Sequence, residues 1–233
     1  MKALLKRYSI IRARYIWALI FAGVLFRGVS LGGDVLNPAF SPNQVFHMKV
    51  QHRRLDSHIR WSEPVSLYYR TGSSPQAGRY INVFSGQGKE VGRIFLDPEM
   101  RIRAVEFWQY VRGKGRKKVL NFYQERPIRG TGAIFPYDWP IFPLRIGEAL
   151  TFTRIISLSG GLSAKRKITQ VVEQVMRGEV SREKWAALGE GPLARVQCRN
   201  GKGELIFTQY WARGCLLPLY GENPDMRYWL VGK

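Results

Sequence analysis

The residue types that most often perform catalysis are scarce in this sequence. Its three histidines, His47, His52 and His58, lie within twelve residues of one another, and their spacing matches no metal-binding motif such as His-Glu-x-x-His. A Ser-His-Asp or Cys-His arrangement would need one of these three, because the last 175 residues contain no histidine. The alternating pattern around His47 sets it on the face away from the apolar side chains, so we expect surface histidines.

The acidic residues and glycines show no catalytic pattern either. Asp138, Glu148 and Glu173 are scattered along the chain, and nothing supports the paired carboxylates of a glycosidase. No Gly-x-Ser-x-Gly motif occurs, and residues 86–88 lack the further glycine and the helix of a dinucleotide-binding loop. We therefore predict no catalytic residue, no cofactor and no metal site, and keep an envelope hydrolase only as a further alternative.

Two cysteines, Cys198 and Cys215, could form a disulfide in an oxidising compartment, since their number is even. The hairpin predicted around Asn200 and Gly201 sets Cys198 opposite residues near position 205. A bridge to Cys215 would therefore need a contact with a third strand. The alternative is one buried cysteine and one cysteine in a loop.

A basic hairpin is the clearest candidate for binding anions. Residues 112–118 (RGKGRKK) hold five positive charges in seven residues, and Trp108 and Tyr110 precede them. Aromatic side chains beside basic ones suit a membrane interface or a glycan, so the hairpin could dock on anionic headgroups. The alternative is a solvated turn kept soluble by its charge. The charged residues are Arg112, Lys114, Arg116, Lys117 and Lys118.

Residues 1–33 predict export from the cytoplasm. Five positive charges in residues 1–14 precede an uncharged run of twelve residues, 15–26, and then Arg27 with several small residues. This order is typical of a secretory signal peptide, and the apolar run is shorter than the roughly 20 residues of a spanning helix. We expect a periplasmic or cell-envelope protein. The alternative is an uncleaved inner-membrane anchor with the folded domain outside.

The charge of the chain favours anionic partners. Lys and Arg number 37 against 17 Asp and Glu, and six of the basic residues lie in residues 1–33 without any acid. The net charge of +20 thus falls only to +14 for the remainder of the chain. Phospholipid headgroups, lipopolysaccharide phosphates and acidic glycans fit such a field, although a basic composition throughout the organism would produce it as well. Nucleic acid is not an expected partner, because an exported protein seldom meets it.

The rest of the chain predicts an all-β fold with minor α content. We interpret residues 34–44 as a linker and residues 45–233 as a single β-rich domain. Short turns join neighbouring strands, which must then be antiparallel. One large curved antiparallel sheet or half-open barrel of about ten to twelve strands would limit exposed edges. Strands are predicted at 45–51, 65–70, 79–84, 90–96, 101–111, 117–124, 150–158, 167–176, 193–198, 204–211 and 227–231. A loop is predicted at 71–78 and one or two helical turns at 181–188.

Residues 135–148 are predicted to carry the chain between the two halves of the sheet. Three prolines exclude a helix or a central strand there. The aromatic residues of the segment, Trp139 and Phe142 among them, would then either plug one end of the core or form a lid over a ligand.

Residues 142–152 (FPLRIGEALTF) resemble a signature of exported, β-rich bacterial proteins of unknown function. In that family a Phe-Pro-Leu-x-x-Gly step opens a strand, and Phe142, Leu144 and Gly147 match it here. The family is similar in outline to the lipoprotein-carrier fold, a curved antiparallel sheet that cups a lipid or acyl chain. The resemblance covers about residues 80–232 and implies no catalytic residue.

Two hypotheses of function follow besides the hydrolase. The first is a non-enzymatic envelope protein that binds a lipid, acyl chain or glycolipid in its concave sheet, with the basic hairpin on an anionic membrane surface. Trp108, Tyr110, Trp139 and Phe142 would then lie near the mouth of the sheet. The second is a structural or interaction module with a filled interior, whose basic surface meets an envelope protein.

Overall fold

The computed structural model describes residues 35–54, 60–111, 114–122, 139–158, 163–176 and 192–232. The fold below is that of the unit Val35–Lys233. The described residues of this unit contain fifteen strands. They are β1 Val35–Leu36, β2 Val45–Arg54, β3 Arg60–Trp61, β4 Val65–Ser74, β5 Gly78–Ser85, β6 Glu90–Leu96, β7 Ile102–Val111, β8 Lys114–Phe122, β9 Leu144–Arg145, β10 Ala149–Leu158, β11 Ser163–Val175, β12 Leu193–Asn200, β13 Leu205–Trp211, β14 Tyr220–Glu222 and β15 Met226–Gly232.

Thirteen of these strands form one antiparallel sheet in the order β3-β2-β4-β5-β6-β7-β8-β10-β11-β12-β13-β14-β15. β15 also pairs with β2, so the sheet curls until its last strand meets its first long one. β8 and β10 are joined by three residue pairs, whereas β10 and β11 share nine. β1 and β9 form a separate two-stranded ladder. The predicted all-β fold, a large curved antiparallel sheet, is confirmed.

The inner face of the curl is apolar because side chains alternate along each strand. In β5, Ile81 and Val83 are fully buried, while Tyr80, Asn82 and Phe84 between and beside them keep partial exposure. The same alternation continues around the sheet and produces one contiguous core. Its members on β2, β12 and β15 include Phe46, Met48, Val50, Ala194, Val196, Cys198, Met226, Tyr228 and Leu230.

The predicted loop at 71–78 is wrong for its first residues, because β4 continues to Ser74. Thr71 is buried, and its hydroxyl donates to the carbonyl of Ser41 at 2.6 Å and accepts from the backbone N–H of Gln44 at 2.8 Å. These bonds fix the strand despite its Gly-Ser composition. The predicted linker likewise contains β1, which pairs with β9. The helical turns predicted at 181–188 lie outside the described residues.

The hairpin predicted at residues 200–203 is confirmed between β12 and β13. The Asn200 side chain builds the turn, since its Oδ1 accepts from the backbone N–H groups of Lys202 at 2.9 Å and Glu204 at 3.0 Å. A bulge after Cys198 shifts the register, so that Leu205 pairs with Arg199 and is exposed instead of joining the core.

Gly221 gives the clearest test of inner-face packing. Tyr228 lies opposite Gly221 on the neighbouring strand β15. A Cβ atom added at Gly221 would lie 2.2 Å from the Tyr228 ring. The ring cannot yield, since it is fully buried and its hydroxyl accepts a 2.7 Å hydrogen bond from the Gln209 side chain. We expect Gly221→Ala to lower the free energy of unfolding by about 1–3 kcal/mol in chemical denaturation. Gly86→Ala is the control, because its Cβ would meet its nearest neighbours at an ordinary 3.5 Å; equal effects of both variants would contradict this packing.

Candidate functional site

The order of the strands separates two ends of the curled sheet. Successive antiparallel strands alternate in direction, so their connections lie alternately at opposite ends. The connections that follow β2, β5, β7, β10, β12 and β14 share one end, which we call the tip end. Those that follow β4, β6, β8, β11 and β13 share the other, which we call the plug end.

Basic residues gather around the tip end. Described Lys or Arg residues lie at or near the connections that follow β2, β5, β7 and β12. Some acids, such as Glu204 and Asp225, accompany them. The combined field of such a ring attracts anionic groups. The described basic residues at this end include Arg53, Arg54, Arg60, Lys89, Lys114, Lys165 and Lys202.

The plug end is closed by the chain itself, through residues 139–144, which we call the plug. Trp139, Ile141, Phe142 and Leu144 of this segment are all buried. The Trp139 indole N–H donates to the carbonyl of Met100 at 2.7 Å, which ties the plug to the connection between β6 and β7. Of the two roles predicted for the crossover, this arrangement matches the plug.

Gln170 on β11 fastens the middle of the plug. Its Oε1 accepts from the backbone N–H of Ile141 at 2.9 Å, and its Nε2 donates to the carbonyl of the same residue at 3.0 Å. Gln170 is 2% exposed, so both bonds lie in the interior. The side-chain amide thus replaces the strand partner that residue 141 would have in a sheet.

Aromatic rings complete the plug. Phe142 and Trp139 each meet Trp211 edge to face, with ring centroids 5.1 and 5.9 Å apart. Trp211 donates its indole N–H to Gln209 Oε1 at 3.0 Å, and the Gln209 amide donates to the Tyr228 hydroxyl. Such pairs add about 0.5–1.5 kcal/mol each beyond area burial, so the plug is an integral part of the core.

We expect Gln170→Leu to lower the free energy of unfolding by about 2–4 kcal/mol, because it leaves two buried backbone groups of Ile141 without their partner. Denaturant titration followed by tryptophan fluorescence measures this. Gln197→Leu on the outer face of β12 is the matched control and should change stability by no more than about 0.5 kcal/mol. A Gln170 variant as stable as the control would show that the plug is not held in this way.

The predicted site residues do not form one group. Trp139 and Phe142 lie together in the plug. Positions 108 and 110 lie in the last part of β7, towards the tip end, opposite Lys117 and Gly115 of β8. The four aromatics predicted near one mouth are thus divided between the two ends, and whether any of them contacts a ligand stays a prediction.

The basic hairpin lies at the tip end. β8 begins at Lys114, and its register with β7 sets Arg116, Lys117 and Lys118 opposite Gln109, Trp108 and Phe107. Arg112 lies outside the described residues. Since neighbours along a strand alternate between faces, position 117 belongs to the face opposite that of 116 and 118. Contact with an anionic surface stays a prediction for all five residues.

Both cysteines lie near the core. Cys198 is fully buried on the inner face of β12, where it pairs with Phe207 of β13. Cys215 follows β13 and packs against the same core while keeping partial exposure. The disulfide between them stays a prediction.

A buried cation is the least expected feature of the inner face. Arg154 on β10 is 1% exposed and neighbours Phe152, while Arg166 lies directly opposite on β11. An arginine keeps its charge in any surroundings, and burial of an ion costs several kcal/mol unless acceptors compensate it. The sequence carried a signal for this position, namely a single Arg on the apolar face of an alternating strand.

The described residues give little support to hydrolase chemistry. The His47 ring stacks on Tyr68 with centroids 4.6 Å apart, and its Nε2 hydrogen-bonds the Ser66 hydroxyl at 3.0 Å. Both contacts engage the imidazole on the outer face of the sheet. Burial and the charge of Lys49 lower the pKa of His47 below its usual 6.5. His52 is exposed, and His58 and Asp138 lie outside the described residues. Within the described part of the chain, no group of three His, Cys, Asp or Glu could hold a metal ion.

The outer face carries a polar cluster on β11 to β14. Arg195 forms an ion pair with Glu173, and the Tyr220 hydroxyl donates to Glu222 at 2.6 Å. Burial, followed by the hydrogen bond and the charge of Glu222, raises the pKa of Tyr220 well above its usual 10.0. Burial also raises the pKa of Tyr210, whose ring lies 6.1 Å from that of Tyr220. These contacts hold the outer face of the short strand β14.

This cluster predicts how stability changes in alkali. The folded state holds the Tyr220 proton more tightly than the unfolded state, so its contribution is complete below about pH 10 and is lost as the pH rises further. Tyr220→Phe should therefore flatten the decline of the unfolding free energy above pH 10, measured by urea denaturation at several pH values. Glu222→Gln, which keeps an acceptor but removes the charge, should flatten it less. Identical slopes for wild type and Tyr220→Phe would refute the assignment.

An open surface pocket of about 510 Å³ lies at the plug end. Arg79 and Arg103 line it with Ser73 and Ser74, and Arg79 Nη1 donates to the carbonyl of Pro98 at 2.9 Å. This contact anchors Arg79 at the rim of the pocket, and the two arginines make the pocket basic.

No helix among the described residues is long and apolar enough to cross a membrane. No protein-family model, curated protein or solved structure matches this chain. The resemblance of residues 142–152 to exported β-rich proteins therefore stays a prediction.

Proposed function

We propose that this chain is a non-enzymatic, exported protein of the cell envelope that binds a lipid, acyl chain or glycolipid within its curled sheet. The observation that carries the proposal is the difference between the two ends. The plug closes one end with aromatic side chains, while the connections at the other end carry basic residues. An apolar interior approached through a basic rim suits an amphiphile with an acyl tail and an anionic headgroup.

The outer face agrees with this role, because its side chains are mainly polar or charged. Glu173–Arg195 and Arg93–Asn82 contacts cross neighbouring strands there, and Arg227 stacks on Trp61 with its guanidinium 4.7 Å from the ring centroid. The large buried side chains point inward instead, as in Phe46, Trp211 and Tyr228. Binding of an apolar ligand would therefore take place on the concave side.

A structural or protein-interaction module of the envelope is the second candidate, and the plug favours it. Residues 139–144 already occupy part of the concave side, held by Gln170 and Trp211. If residues of the chain fill the whole interior, recognition passes to the basic surface, and its partner is an envelope protein. Cross-linking in cells that returns one stable protein partner would support this candidate.

Lipid extraction tests the first candidate. The full chain is purified from cells in high salt and extracted with organic solvent, and the extract is analysed by mass spectrometry. We expect about one lipid or glycolipid per protein. A similarly basic exported protein of unrelated fold is the control, because charge alone collects anionic lipids. An extract indistinguishable from that of the control would reject lipid binding in favour of the interaction module.

A further inference from the structure

We infer that the open pocket at the plug end binds a phosphate monoester, carried by a sugar or by a lipid headgroup. The pocket has a volume of about 510 Å³, which is typical of small-molecule sites. Its lining comes from β4, β5, β6 and β7 and from the connections between them. The site goes beyond the proposed function and does not depend on it, because the lipid of that proposal would enter at the opposite end, the tip end.

Arg103 on β7 supplies the most accessible donors of the pocket. It is exposed, and its side chain makes no hydrogen bond or ion pair with any other described residue. The register of β6 and β7 shifts at this position, because Phe95 pairs with residue 104 and Leu96 with residue 102. Arg103 therefore has no partner on β6, and such a bulge redirects a side chain from the regular alternation. All N–H donors of this guanidinium are available to a ligand.

Arg79 on β5 is the second cation of the pocket. Its Nη1 donates to the carbonyl of Pro98 at 2.9 Å and lies 3.6 Å from Met100 Sδ. Its guanidinium also lies over the Phe40 ring, 5.5 Å from the centroid. These contacts hold the side chain in place, yet Nε and Nη2 make no hydrogen bond to another described residue. Arg79 is partly exposed, so these two nitrogens remain available as donors.

Two hydroxyl groups lie beside the arginines. Ser73 of β4 pairs with Arg79 across the ladder, so both residues belong to the same face, and Ser73 is exposed. The Ser74 hydroxyl accepts from the backbone N–H of Ala77 at 3.0 Å, which leaves its own proton available to donate. The pocket thus combines two cations with two neutral donors, all on described residues.

The neighbouring carboxylates do not neutralise the pocket. Asp97 and Glu99 form ion pairs with Arg101 at 2.6 and 2.8 Å, and neither acid lines the pocket. Arg79 and Arg103 therefore have no acidic partner among the described residues. A phosphate monoester has three acceptor oxygens and a charge approaching about −2 at pH 7. It can engage both guanidinium groups, whereas a carboxylate offers a single charge, so a phosphate monoester suits the pocket better.

The test measures the affinities of the full chain for four probes by calorimetry. Glucose 6-phosphate carries the monoester on a sugar, and dihexanoyl phosphatidic acid, below its critical micelle concentration, carries it on a lipid headgroup. Glucuronate supplies a carboxylate, and glucose has no charge. We expect the better phosphate to bind about tenfold or more tightly than glucuronate, and glucose not to bind. The tighter of the two phosphates identifies the source as a sugar or a lipid.

Arg103→Gln is the decisive variant, because the side chain is exposed and the fold does not depend on it. We expect it to weaken binding of the better phosphate by about tenfold. Arg103→Lys keeps the charge but loses the planar fork of donors, so its loss should be smaller, about threefold. Lys202→Gln, in an exposed turn at the tip end, is the control of equal charge change and should alter the affinity by less than about twofold.

The outcomes separate this site from lipid binding in the curled sheet. Phosphatidic acid that binds equally well to wild type and Arg103→Gln, without binding of glucose 6-phosphate, would overturn the pocket site and leave the proposed function standing. A wild type that binds neither phosphate, or that binds glucuronate as tightly as the better phosphate, would also overturn the site. Equal losses from Arg103→Gln and Lys202→Gln would show that net charge alone is responsible, with the same consequence.

Discussion

An antiparallel sheet with one apolar face is stable only if that face and both edges are covered. In this chain the sheet covers itself. β15 pairs with β2 from Met226 opposite His52 to Gly232 opposite His47. Each of these two strands thereby covers an edge of the other that would otherwise be exposed to solvent. Because of this pairing, the inner face of the sheet is enclosed and the outer face is exposed to water. The two ends of the curled sheet are left to be covered by other parts of the chain.

The two ends of the curled sheet carry residues of different chemical character. At the plug end, a proline-rich aromatic segment lies inside the curl, and its backbone polar groups are satisfied by side chains such as Gln170, because the prolines prevent strand pairing. At the tip end, the connections carry basic residues such as Lys89 and Lys202. The two ends of the curled sheet therefore differ in the residues that lie there.

Much of the fold could be predicted from the sequence because strand alternation and turn residues are local signals. The hairpin at Asn200 and the strands flanking it are examples, and so is the exposure of His52. What could not be predicted depends on contacts between distant residues. Thr71 lies in a strand because Ser41 and Gln44 bind its hydroxyl, and the short strand β14 exists because Tyr220 and Glu222 pair with both neighbours.

The candidate site was the harder part for the same reason. Aromatic and basic residues stand out in a sequence, but the end of the sheet to which each belongs follows only from strand order. Trp108 and Trp139 looked alike as candidates, yet strand order assigns them to opposite ends. Arg154 and Gln170 attract little notice in a chain rich in polar residues, and their importance follows from their burial on the inner face.

The pairing of β2 with β15 also affects how the molecule reaches its native state. These strands are far apart in the chain, so the sheet cannot curl until nearly all of it has formed, and folding rates fall as contacts become less local. Until then β2 exposes an unpaired edge together with Phe46, Met48 and Val50, which is the kind of surface that promotes association between incomplete chains. The yield of folded protein should therefore fall as the chain concentration during folding rises, and it should increase when chaperones shield β2.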